Sequence, residues 1–224
     1  MVSYLIMPYY KKRRTYRKRK RNVPFWKRKY SLSDVSKQVW NLKQLINVEK
    51  KFHDYGNILS YTTTPAITPI SLIAQGDTAN TRNGNSIKLV SNLLRYDIML
   101  GTTGGGIDEP ESVRMMVVMD TQNNGSTPAI TDILEGNGGV YNPLERDQNA
   151  GRFTVLMDRV HSLNPNGKQS VFSKCYNKLN THMKFNGTDA TAASQGRNAM
   201  YLVGMCSNSQ VTVNAYNRVS FIDN

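Results

Sequence analysis

Hydrophobic positions along this chain change their period once. From residue 31 to 46 they recur at helical spacing: Val35, Val39, Leu42 and Ile46 step by four, three and four, with Leu45 beside them. That spacing makes one apolar stripe on a helix. Ser31 or Ser33 can cap its start, and Ser31 with Asp34 has the spacing of a capping box. The stripe suits packing on a core or on a partner equally well.

From residue 47 the period is two. Val48–Phe52 and Ile58–Thr64 read as strands, Pro65 and Pro69 end that run, and Ile70–Ile73 is a short apolar stretch. Residues 76–85 carry turn chemistry. A long strand over Ser86–Leu100 is interrupted near Asn92, and 101–106 is a Gly-rich loop. Ser112–Asp120 is almost continuously apolar, as in a central strand buried on both faces. Pro128 suits the first turn of a short helix over 127–134, and 136–151 is a loop. Arg152–Leu163 alternates, with Phe153, Val155 and Met157 on one face; Ser170–Phe185 is long and mixed; 187–197 is a polar loop. Met200–Cys206 and Val211–Ile222 close the chain, and a turn near Asn208 predicts a hairpin between them. The βα alternation required by a parallel sheet is absent. The pattern therefore predicts an all-β protein: an eight-stranded antiparallel jelly-roll sandwich with a short helix before the first strand.

Charge adds a second part. Lys11, Lys12, Arg13, Arg14, Arg17, Lys18, Arg19, Lys20, Arg21, Lys27, Arg28 and Lys29 precede the first acidic residue, Asp34. The chain's formal charge is +13, so removing these twelve leaves +1 for everything else. Such a run repels itself and buries too little apolar surface to fold. Residues 1–30 are therefore expected to be a disordered basic arm, and 31–224 a jelly-roll domain with its helix at 31–46. The arm can neutralise a polyanion and release its condensed counterions. Tyr9, Tyr10, Tyr16 and Trp26, interleaved with the charge, can stack on unpaired bases. Phe25, Trp26 and Tyr30 can equally pack on the body.

Other chemistry is sparse. No apolar run approaches the length of a membrane span, so no membrane insertion is expected. Val2–Met7 is too short for a signal-peptide core and precedes the basic cluster instead of following it. Cys175 and Cys206 read as reduced, partly buried thiols, which fits a reducing compartment. The Asn-Gly pairs at 124–125 and 186–187 read as turns. His53, His161 and His182 are scattered, each suiting a strand residue that faces solvent or an interface. No metal-ligand spacing, nucleophile elbow or phosphate loop occurs. Gly104–Gly106 reads as a hairpin tip. Asp108, Glu109 and Glu111 could hold calcium but read as a solvated loop beside Pro110. No cofactor, metal or enzyme activity is expected.

Several segments, taken in order, resemble the capsid proteins of circular single-stranded DNA viruses that encode a Rep protein, the circovirus-like group. Val39-Trp40-Asn41-Leu42-Lys43-Gln44-Leu45-Ile46-Asn47-Val48-Glu49-Lys50-Lys51 is similar to that group's joint between arm and body. Gly76, followed by Arg82-Asn83-Gly84-Asn85-Ser86-Ile87, is similar to a G-x(n)-R-x-G-x-x-I pattern. Val117–Gly125, Asp132-Ile133-Leu134 and Asn142-Pro143 then lead to Arg152-Phe153-Thr154-Val155-Leu156-Met157-Asp158, which resembles an R-F-x-[IV]-L-x-D strand. Met119 and Thr121 depart from the aromatic and basic residues expected beside Asp120. Met7-Pro8-Tyr9-Tyr10-Lys11-Lys12 is similar to a capsid start, which makes Met7 an alternative first residue.

The resemblance implies a viral capsid protein that self-assembles into a T=1 icosahedral shell of about 60 copies. It implies a single-stranded DNA genome packaged by the arm, and a place in the virion and, during assembly, in the host nucleus. The arm cations would double as a nuclear localisation signal read by host importin, and the shell would meet a host cell receptor. Satellite plant RNA viruses share a similar coat architecture, so a satellite-virus-like RNA coat protein is an alternative. A non-viral nucleic-acid-binding protein with a basic tail is another.

Overall fold

The computed structural model describes residues 31–45, 49–101, 109–136, 138–145, 148–149, 151–208 and 211–223. The chain divides into two units, 1–47 and 48–224.

In the first unit, α1 spans Leu32–Leu45. Its start is the capping box that the sequence spacing predicts. The Asp34 amide donates to Ser31 Oγ at 3.2 Å, and the Ser31 amide donates to Asp34 Oδ2 at 3.2 Å. The Ser31 hydroxyl, donating to Asp34 Oδ2 at 2.8 Å, and then the Ser31 amide hold the Asp34 carboxyl below its usual range. Val35, Val39 and Leu42 line one side of the helix and are exposed.

The second unit holds eight strands: β1 Lys50–Tyr61, β2 Ala66–Pro69, β3 Ser86–Leu100, β4 Glu111–Asp120, β5 Phe153–Leu163, β6 Ser170–Lys184, β7 Ala199–Cys206 and β8 Val211–Asp223. A one-turn helix, α2 (Ile130–Ile133), lies between β4 and β5. One sheet runs β1-β8-β3-β6 and the other β2-β7-β4-β5, every pair antiparallel. Successive strands mostly change sheet, and only β4 and β5 are both consecutive and paired. This is the jelly roll that the alternating pattern predicts.

The inner faces make the main core. Ile87, Leu89, Leu94, Tyr96 and Ile98 of β3 and Val211, Val213, Val219 and Phe221 of β8 meet Val113, Met115 and Val117 of β4 and Met200 and Leu202 of β7. The β2-β7-β4-β5 sheet is covered on its other face too. Met116, Val118, Val203 and Met205 pack there with Ile133, Leu134 and Val140 from the connection after β4. That is why β4 is nearly continuously apolar and every residue of β7 is buried. The other sheet has a bare outer face, so β1, β6 and β8 alternate.

Four local expectations change. β1 is one strand across 50–61, not two pieces, because Asp54–Asn57 pair unbroken with Ala215–Arg218 of β8. Between Pro65 and Pro69 lies a short strand, β2, where no strand was expected, and Pro69 ends it at the sheet edge, where its missing donor is harmless. β3 is not broken near Asn92 but carries a β-bulge between Leu89 and Ser91. The hairpin near Asn208 does not form, because β7 and β8 lie in different sheets. A short loop sets the distance between two strands, not whether they pair.

Candidate functional site

Among the described residues, no group of three His, Cys, Asp or Glu side chains could hold a metal ion. Of the acidic stretch before β4, Asp108 lies outside the described residues and Glu109 is exposed. Glu111 is not in a solvated loop: it is buried at the start of β4. There it accepts from Ser207 Oγ at 3.0 Å and from the Asn208 amide at 2.8 Å.

The charged groups that do converge act as internal fixtures. Arg82 is fully buried. It donates to the carbonyls of Ile73 (3.2 Å), Gly84 (2.5 Å) and Gly187 and to Asn85 Oδ1 (3.2 Å), and its guanidinium lies 3.9 Å over the Phe185 ring. One side chain thus ties the 73–85 turn to the loop after β6. Lys51, 2% exposed, donates to Asp223 Oδ2 at 3.2 Å and Asn83 Oδ1 at 3.1 Å, joining one end of the β1–β8 ladder, the start of β1 and the end of β8, to the same turn. Arg152 grips buried Asp120 through Nε (3.1 Å) and Nη2 (2.9 Å). Arg114 grips Asp158 at 2.8 and 2.7 Å, and its Nη1 donates to the carbonyls of Val140 and Asn142. Such bidentate pairs fix geometry more firmly than a lysine contact does.

His161 is half-buried. From β5 it reaches between the sheets, and its Nε2 is hydrogen-bonded to Tyr96 Oη at 2.8 Å. Burial, with Arg159 and Lys168 nearby, holds its imidazole below the usual range. His53 is also drawn down by burial, against the charge of Asp54, and only His182 is exposed. Both cysteines are buried thiols outside any disulfide. Burial and neighbouring Glu111 push the Cys206 thiol up to about 12, which leaves it unreactive.

The twelve arm cations from Lys11 to Lys29, with Tyr9, Tyr10, Tyr16 and Trp26, lie outside the described residues. The fixtures escaped the sequence reading because their partners are far apart in the chain. Arg82 and Gly187, or Lys51 and Asp223, have no local spacing that marks them. A second omission was visible. β6 reads as long and mixed, but its outward positions run Phe172, Lys174, Tyr176 and Lys178, a period-two alternation of ring and charge.

A jelly roll whose buried charges all serve its own architecture, preceded by an uncompensated cationic segment, defines a class: the viral coat subunit. Residues 20–224 match the family described as Satellite tobacco necrosis virus coat protein, and the chain belongs to that family. It is 29% identical over 186 residues to the coat protein of Satellite tobacco necrosis virus 2, covering 81% of this chain and 90% of that one. It is 26% identical to the capsid protein of Satellite tobacco necrosis virus 1, over 72% of this chain and 81% of that one. With the coat protein of Maize white line mosaic Satellite virus it shares 34% identity over 58% of this chain and 59% of that one. Among solved structures it is similar to the Triatoma virus empty capsid at a TM-score of 0.33 and 11% identity, over 87% of this chain and 75% of that one.

The protein is thus a virion component with a structural role. The family match overturns the resemblance to circular Rep-encoding DNA viruses. The motif residues that carried it, Gly76, Arg82, Gly84, Arg152 and Asp158, sit in or beside the jelly-roll fixtures. They mark the architecture and not the viral branch.

Proposed function

We propose that this chain is a satellite-virus coat subunit whose copies close into an icosahedral shell around a single-stranded RNA. The carrying observation is the family match over residues 20–224 together with the division of charge, twelve cations before the first acid and +1 over the remainder. Packaging RNA in place of DNA follows the satellite-virus relatives. The importin expectation, read from the arm's Lys and Arg clusters, and the host-nucleus and receptor expectations are not carried forward.

Residues 1–30 act as a cationic arm inside the shell and 31–224 as the shell-forming part. About 60 arms bring ~720 positive charges, enough to neutralise only part of a genome of one or two kilobases, and small cations supply the rest. Arm contacts to phosphate carry no base code, so binding is poor in sequence preference. Edge strands β1, β6, β2 and β5 offer backbone groups that neighbouring copies can cover.

Two measurements test this. Negative-stain microscopy of purified full-length protein should show closed shells of uniform size, with contents sensitive to ribonuclease and not to deoxyribonuclease. Neutralising the twelve arm cations as glutamines should leave shells but remove most of the nucleic acid absorbance. A protein that stays monomeric and ignores added oligonucleotide at low salt would falsify the coat reading.

A further inference from the structure

The +1 formal charge of the body hides a separation. Paired residues in antiparallel strands share a face, so the register fixes what stands on the outer side of the β1-β8-β3-β6 sheet. One row across it reads Gly56, Tyr216, Arg95, Lys174; the next reads Asp54, Arg218, Leu93, Tyr176; the next reads Phe52, Ser220, Ser91, Lys178. Lys88 stands opposite His182, with Lys50 and Lys184 at the same end. This one face presents seven Lys or Arg against two carboxylates, Asp54 and Asp97. The rest of residues 31–224 holds ten cations against fourteen acids. Asp54 is taken by Arg218 at 2.6 and 2.7 Å. Among the described residues, the other six cations on the face form no ion pair.

Three further observations give this face a direction. Arg95 is directly opposite Lys174, a like-charge pair that costs the sheet stability unless an anion sits over it. Five of the seven large exposed hydrophobic residues described in 48–224 lie here: Phe52, Ile58, Phe172, Tyr176 and Tyr216. Phe172 is 70% and Tyr176 62% exposed, so their rings are open. Successive outward residues of a strand lie about 6.8 Å apart, so β6 lays charge and ring alternately along one line. Beside them, the absent side chain of Gly56 leaves a depression of about 410 Å³ against Ile58, Asn214 and the Tyr216 ring.

We infer that the outer face of the β1-β8-β3-β6 sheet is a second nucleic-acid interface, separate from the arm, which binds single strands. Arg95, Lys174, Lys178 and Lys88 meet phosphates, and Tyr176 and Phe172 stack on unpaired bases. Stacking on rings set in a cationic groove binds any sequence, as packaging requires. The inference rests on the coat reading, and it turns this sheet toward the lumen and leaves the covered β2-β7-β4-β5 sheet outside.

The test uses the full-length chain with a short oligouridylate. Ultraviolet crosslinking followed by peptide mass spectrometry should place crosslinks on Tyr176 or Phe172. The variant Arg95→Gln/Lys174→Gln/Lys178→Gln should bind more weakly, with a log-affinity against log-salt slope shallower by about 2, at roughly 0.7 per lost phosphate contact. It should still form shells. Crosslinks confined to residues 1–30, with an unchanged slope, overturn the inference and leave the coat reading intact. If the variant loses shells while crosslinks on the unmodified chain stay in the arm, the face is a contact between copies and the inference also fails. The crosslinking readout on the unmodified chain holds even where the variant does not fold.

Discussion

At the scale of single residues, buried polar groups of this body fall into two kinds with opposite expected costs. Asp120 is fully buried and accepts from Arg152 and from the Gln122 amide. Asp120→Ala leaves the Arg152 guanidinium with only the looser Asp132 carboxylate at 3.6 Å among its ion pairs and should destabilise the dissociated subunit by about 3 kcal/mol in urea unfolding. Asn92 and Asn217 are also fully buried, yet neither side-chain atom of either residue has a hydrogen-bond partner in the protein. Asn92→Leu should therefore be neutral or stabilising by about 1 kcal/mol, since it removes an uncompensated amide. A loss comparable to that of Asp120→Ala would show that the amide is satisfied in solution. Gly204 has a different reason for its identity. A Cβ there would come within 2.3 Å of the Tyr61 ring. Gly204→Ala should cost roughly 1–3 kcal/mol through displacement of that ring, and the double variant with Tyr61→Leu should recover part of it.

At the scale of elements, the two sheets are joined by hydrophobic contact and by the Tyr96–His161 bond between β3 and β5. This makes the sandwich sensitive to acid. The folded imidazole of His161 sits below its ordinary 6.5, so on acidification the unfolded chain binds the proton first. Stability should fall as pH drops from about 6.5 to the lowered native value and level off below it. His53, lowered by its own burial, adds in the same sense. The urea midpoint should decrease between about pH 7.5 and pH 5.5, and His161→Phe should shrink that decrease. An undiminished decrease in the variant would assign the effect elsewhere. The capping box of α1 responds at lower pH. Its stabilisation, present above the usual Asp value of 3.8, is lost as pH falls through the lowered value of Asp34.

At the scale of the whole molecule, formal charge and charge distribution lead to different conclusions. A body of +1 reads as electrically quiet, and that reading carried the expectation that only the arm meets nucleic acid. Strand register overturns the uniformity. Lys88, Arg95, Lys174 and Lys178 are scattered over ninety positions of sequence, yet pairing of β3 with β6 gathers them on one face. The acids that balance them are elsewhere: Asp120, Asp158 and Asp223 are bound to Arg152, Arg114 and Lys51. Neutrality of the sum coexists with polarity of the surface, which suits a subunit that meets its own copies on some faces and a polyanion on another.

Local pattern alone determined the all-β class, the capping box at Ser31 and Asp34, the doubly buried β4 and the cationic run before the first acidic residue. Each depends on neighbours in sequence: a period, a three-residue spacing, an unbroken run of one charge. Tertiary structure decided which strands pair, because the energy of pairing comes from side chains brought together across the sandwich. That is why β7 and β8, adjacent in the chain, lie in different sheets, and why Arg82 was read as a family motif before its contacts showed it to be a fixture. The same long-range pairing decided the polarity of the solvent-exposed face of the β1-β8-β3-β6 sheet. The sequence holds every one of its cations in view, but only register places them side by side.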